Sequence, residues 1–156
     1  MTLTIIGIGQ SLRGDDGAGL ATVRLWQEMC PAQHPDVRIE LAESPGLGLL
    51  NLLEGAAAAI LVDAVRSGAS PGSLHCLDES DIAAFLNGAN SAHGWGVAES
   101  LALSRQLDPD SLPTRLVLIG IEAGQVVLGE NLSPAVTASL PDAARLIQET
   151  VQQLKR

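Results

Sequence analysis

The stretch Gly7-Ile-Gly9-Gln-Ser-Leu-Arg-Gly14-Asp15-Asp16-Gly17-Ala-Gly19 is a glycine-rich turn between a first strand and a first helix, a place where phosphate is commonly bound. Gly9 and Gly14 have the spacing of a phosphate-binding loop, but Asp15 and Asp16 stand where Lys and Ser/Thr should follow. The charge is inverted. Two carboxylates at the positive end of a helix repel a pyrophosphate and attract a cation. Leu12 occupies the place of the third glycine of GxGxxG, so the spacing also argues against a dinucleotide. A simpler role is open to one of the pair, because Asp commonly caps a helix; on that reading Asp15→Asn is a mild change, since Asn caps about as well.

Two further residues have types that suit the same chemistry. Asp63 closes a long apolar run, and ligands of open α/β sheets bind outside the carboxyl ends of the strands. If the first and third strands flank a crevice, Asp16 and Asp63 converge there; the alternative for Asp63 is a solvated carboxylate at a strand end. His93 lies in the loop Ser91-Ala-His93-Gly-Trp-Gly96 just before a helix, where the positive helix end favours the neutral, metal-binding imidazole. A lone loop histidine is otherwise simply solvated. Two Asp and one His make a mixed oxygen and nitrogen site for a borderline divalent ion such as nickel or zinc, with positions open to an outside ligand. His34, in a polar loop beside prolines, and His75, inside a short edge-like strand, have no comparable partners. The chain has no GxSxG elbow, no HExxH and no cysteine beside a suitable histidine, so the common protease signatures are absent.

The elements that must position these residues follow from periodicity. Leu3 to Ile8 is a β-branched apolar run, expected as a strand buried on both faces. From Asp16 to about Cys30, Ala18, Ala21, Leu25 and Met29 recur at helical spacing, and Pro31 closes the segment. Asp36 to Ala42 alternates as a second strand, Gly46 to Glu54 reads as a Leu-rich helix, and Ala56 to Val65 as a third, central strand. Only Arg66 to Gly72 separates that strand from Ser73 to Leu77. That link is too short for a parallel crossover, so the fourth strand should run antiparallel. A helix near Ser80 to Leu86, a Gly/Asn/Ser-rich loop from Asn87 to Gly96, a helix from Val97 and a fifth strand at Thr114 to Ile121 follow. Ser133-Pro134 reads as an N-cap with proline at the first helical position, opening a stripe from Val136 to Leu154 that Pro141 should kink or split. The expectation is a three-layer α/β domain with a mostly parallel sheet, one domain over residues 1–156.

Composition narrows the partners. The 156 residues carry 9 Lys plus Arg against 18 Asp plus Glu, a formal charge of −9, which repels nucleic acid and anionic membranes. Aromatic residues make up only 2%, so base-stacking platforms lack their raw material. Cys30 and Cys76 show no CxxC spacing and read as buried thiols. The N-terminus lacks a basic leader, and no run of about 20 apolar residues exists to span a bilayer. A soluble cytoplasmic protein is expected.

In combination and order these residues resemble the hydrogenase maturation proteases, endopeptidases that process the large subunit of nickel-iron hydrogenases. That family's GxGN-xxxx-D(D/E)GxG element is similar to Gly7 to Gly19, its strand-end Asp-Ala to Asp63-Ala64, its loop His to His93, and its GIEP…LSPxV element to Gly120-Ile-Glu122-Ala…Leu132-Ser-Pro-Ala-Val136. The likeness spans essentially the whole chain. It implies an α/β/α sandwich with a five-stranded, mostly parallel sheet and one antiparallel strand. It further implies an aspartyl-type endopeptidase, acting as a monomer, that activates another enzyme. Its partner would be the hydrogenase large-subunit precursor, and its metal would be nickel supplied by that substrate, with no tightly bound cofactor of its own. The residues that meet the nickel, and with it the catalytic set, carry over to Asp16, Asp63 and His93. Gln10 stands for the family's Asn, Ala123 for its Pro, and Leu41-Ala-Glu43-Ser-Pro-Gly46 for the Asp-Gly-Gly-Thr-like segment that helps choose the partner hydrogenase; Glu43 is either an acidic substitute contact there or a solvated loop residue. Two rival readings of the same triad are a stand-alone zinc amidohydrolase and a nickel carrier that cuts nothing.

Overall fold

A computed structural model describes residues 2–30, 35–43, 45–87 and 97–156. Five strands, β1 (Leu3–Gly9), β2 (Val37–Glu43), β3 (Ala58–Val65), β4 (Leu74–Asp78) and β5 (Arg115–Glu122), form one sheet in the order β2-β1-β3-β5-β4. All pairings are parallel except β4 with β5. The antiparallel strand is the one the short link demanded. That link turns on Gly68 and Gly72, both with positive φ, and Gly72 N–H donates to the Glu122 carbonyl to close it. β1 and β3 are buried along their whole length, as their unbroken apolar runs require.

Side-chain alternation divides the core. One face packs Ile5, Ile60, Val62, Ile119 and Ile121 under α1 (Ala18–Met29) and α5 (Pro134–Leu154). The other packs Ile6, Ile8, Leu61 and Leu118 under α2 (Leu49–Leu53), α3 (Glu79–Asn87) and α4 (Val97–Leu107). The result is three layers. Trp26 Nε1 donates to Gln148 Oε1 at 2.9 Å, joining α1 to α5. Arg105 grips both carboxylate oxygens of Glu79, at 2.8 and 2.6 Å, and donates to the carbonyls of Pro109 and Pro113, tying α4 to α3 and to the lead-in of β5.

Three local expectations change. Pro141 does not split α5, which runs unbroken because the stripe Val136, Ala143, Ala144, Ile147 and Val151 packs on the sheet while Pro141 faces solvent. Both helices expected after β1 and β2 open as 3-10 turns, Gly14–Gly17 and Gly46–Gly48. The cysteines are not buried: Cys30 is half-buried at the end of α1 and Cys76 is exposed, since β4 is an edge strand. Among the described residues no helix is long and apolar enough to cross a membrane.

Candidate active site

β1 lies beside β3 while α1 and α2 cover opposite faces, so a crevice opens outside the carboxyl ends of these two strands. The chain is shaped to bring the Asp15-Asp16 turn over that crevice. A Cβ at Gly19 would sit 2.3 Å from the Val62 carbonyl and 2.5 Å from that of Ile8, so α1 reaches both strand ends only because this residue has no side chain. Gly9 plays the same part below Asp16, where a Cβ would lie 2.1 Å from the Asp16 carbonyl. The Gly14–Gly17 turn therefore packs against β3, and Asp63 is the residue that follows Val62 on that strand.

Asp16 and Asp63 are both buried, Asp16 completely. Asp63 lines a small cleft with Ile8, Gly46, Leu49, Val97 and Ser100, so the start of α4 faces it. Thus the structure brings the segments carrying Asp16 and Asp63 to one strand end. His93 lies outside the described residues, together with His34 and residues 88–96 of the expected loop. Among the described residues no three His, Cys, Asp or Glu side chains gather as a metal-holding group.

Asp15 does not cap a helix. Its fully buried carboxylate crosses to the segment after β5: Oδ2 accepts from the N–H groups of Gly124 and Gln125 (both 2.8 Å) and from Ser133 Oγ (2.8 Å), and Oδ1 accepts from Ser133 N–H (2.6 Å). Burial alone would raise its pKa, but these donors hold it below the usual carboxylate range. Ser133 stands at the N-cap position of α5, as expected; it makes no side-chain cap bond, and its hydroxyl donates to Asp15. The Asp15 N–H in turn donates to the Gln125 carbonyl at 2.7 Å, and Gly14, at φ +57, fits so close that a Cβ would meet that same carbonyl at 2.6 Å. Asp15→Asn is accordingly no mild change: an amide would turn a donor toward donors.

Two other acidic residues find partners that the sequence reading missed. His75 is not partnerless, for its Nε2 lies 3.1 Å from Glu122 Oε1, and its ring rests 4.7 Å from that of Phe85. Glu122, almost wholly buried, also accepts from Ser67 N–H (2.8 Å) and Ser67 Oγ (2.5 Å), which ties the link after β3 to the end of β5. The available signal was strand alternation: His75 lies opposite Gly120, which places Glu122 on its diagonal and on the same face. Asp63 is also opposite Gly120, but the space above that glycine is taken by the methyls of Val65, so His75 is not delivered to Asp63. Glu43, at the end of β2, is exposed and bound: its Oε1 accepts from Ser11 N–H (3.0 Å) and Ser11 Oγ (2.7 Å). Those two donors, with the nearby charge of Arg24, hold its pKa below the ordinary value.

Comparison with known proteins meets this arrangement from two sides. The family model described as HycI, hydrogenase maturation protease, matches residues 34–150. The hydrogenase expression/formation protein HupD of Rhodobacter capsulatus is 33% identical over 153 residues, covering 97% of this chain and 70% of the relative. The [NiFe] hydrogenase maturation protease HybD from Thermococcus kodakarensis superposes with a TM-score of 0.77 at 27% identity, covering 96% of this chain and 99% of that one. The hydrogenase maturating endopeptidase HybD from E. coli has the same fold, with a TM-score of 0.84 at 22% identity over 98% and 93% of the two chains. With its sequence matched from residue 34 to residue 150 and its five-stranded sheet shared, the chain belongs to the hydrogenase maturation protease family and is an endopeptidase.

Proposed function

We propose that this endopeptidase removes the C-terminal extension of a nickel-iron hydrogenase large-subunit precursor, and that it does so after meeting nickel already installed in that substrate. The observation carrying the reading is the convergence of the Asp16 turn on the strand end that holds Asp63, in a chain of this family. Two hard carboxylate donors, joined by the imidazole of His93, offer the incoming ion a partial ligand set, and the remaining ligands belong to the substrate. Three protein donors do not saturate a divalent ion, which suits a site that inspects a metal rather than keeps one. The net charge of −9 favours approach of a cationic centre. The two described cysteines are free thiols, the state kept in the reducing cytoplasm, which is the proposed place of action.

The chemistry is hydrolysis of one peptide bond, with water as the attacking group near the inspected metal. Incubating the protein with large-subunit precursor, loaded with nickel or free of it, and measuring intact mass tests the proposal. Shortening of the loaded form alone is expected. Equal processing of both forms would sink metal inspection and leave a simple protease; no shortening of either would favour a nickel carrier.

A further inference from the structure

We propose that Asp15 is a positioning residue for Asp16, and that the late segment from Gly124 to Ser133 serves this chain's active site as the cradle for the Asp15 charge. The inference rests on the reading of Asp16 as a residue that contacts the substrate metal. A buried carboxylate of this kind is normally left ionised only where donors surround it. Here four donors from three residues converge on the two Asp15 oxygens at 2.6 to 2.8 Å. None of the donors comes from the turn that carries Asp15. The staple therefore runs between two parts of the chain more than a hundred residues apart.

The backbone at and just before Asp15 is pinned to the same segment. Gly14 N–H donates to the Glu130 carbonyl at 3.0 Å, Gly129 N–H to that of Leu12 at 2.7 Å, and Asp15 N–H to that of Gln125. On its other side Asp16 is held between its N–H bond to the Arg13 carbonyl and the Gln10 N–H that its own carbonyl accepts. Asp16 thus directly follows the residue through which this part of the turn is tied to the segment after β5. Asp15 is seated on the α5 side, while the turn it shares with Asp16 packs against β3, the strand that holds Asp63. Removing the charge loosens the cradle and moves Asp16, while the β3 end of the site is untouched.

Asp15→Asn and Ser133→Ala separate positioning from simple stabilisation. In Asn the carbonyl can keep the three contacts of Oδ2, but the amide then faces Ser133 N–H and the charge is gone. Ser133→Ala deletes one hydroxyl donor and leaves the charge. Binding of nickel-loaded precursor is measured for each, in the wild-type background and with Asp16→Asn. Asp15→Asn is expected to weaken binding about tenfold when Asp16 is present and less than about twofold when it is replaced, because a residue that acts through another adds nothing once that residue is disabled. Losses equal in both backgrounds would make Asp15 merely structural and overturn the proposal. If Asp15→Asn does not fold, the Ser133→Ala cycle decides in the same way, with about a threefold loss expected only when Asp16 is present. A precursor-free readout stands beside it. The amide and side-chain carboxylate resonances of Asp16 in the free protein are expected to shift with either variant, and unchanged resonances would overturn the proposal. Wild-type protein that neither binds nor cuts precursor speaks only against the proposed function, and the resonances then decide the role of Asp15.

Discussion

Asp15 and Asp16 are adjacent and both fully buried. Asp15 is turned toward N–H and hydroxyl donors of the segment after β5, while the turn that carries both residues packs against β3. A titration reports on Asp15. Because its folded pKa lies below the unfolded one, Asp15 contributes stability that is present above about pH 4 and is lost as pH falls through the folded value. Urea unfolding between pH 6 and pH 3 should show that loss in the wild type and a flatter profile in Asp15→Asn over the same window. For the proposed metal contacts, asparagine is the informative replacement, since Asp16 and Asp63 are buried and alanine would leave a hole as well as remove a charge. Asp16→Asn, Asp63→Asn and His93→Ala are each expected to lower kcat/KM for precursor processing by about a hundredfold, with unchanged circular dichroism. Activity within twofold of wild type in any one of them would remove that residue from the site.

At the level of elements, the site depends on how closely α1 can approach two strand ends. Gly19 is the contact point, and the obstacle to any side chain there is backbone carbonyl, which cannot rotate away. Gly19→Ala should therefore destabilise the fold by roughly 3 kcal/mol, at the upper end of overpacking effects, and should depress processing further by lifting the Asp16 turn from β3. Chemical denaturation with processing rates measured well below the midpoint checks both parts. Ala substitution at Gly48, where a Cβ meets nothing within 4 Å, is the matched control expected to change stability by less than about 1 kcal/mol. On the opposite face, the Arg105 grip on Glu79 and two carbonyls anchors α4, whose first turn lines the Asp63 cleft.

For the molecule as a whole, the decisive property is who owns the metal. If nickel arrives with the substrate, this protein binds free divalent ions weakly, and chelation of the enzyme before mixing should change its rate on nickel-loaded precursor by less than about twofold. Loss of activity on chelation, restored by zinc, would instead mark a zinc amidohydrolase with a resident ion. Incubation of the chelated and untreated enzyme with the same loaded precursor, followed by intact mass over time, reads the difference directly.

How much of this was legible in the sequence follows from the range of the forces involved. The strands and the direction of β4 are written in periodicity and link length, because burial of an apolar run and the reach of a short link are local properties. The inversion of charge in the glycine-rich turn was equally visible, as was the family resemblance carried by the order of Asp16, Asp63 and His93. The partners of Asp15, Glu122 and Glu43 were not. Each is satisfied by donors on a distant segment, and a hydrogen bond at 2.8 Å depends on coordinates that no spacing rule encodes. Ser133 shows the boundary clearly: its sequence context marks the start of a helix, and it stands there, but only the tertiary structure brings its hydroxyl to Asp15, because a buried carboxylate gathers its donors from whatever segment the fold places beside it.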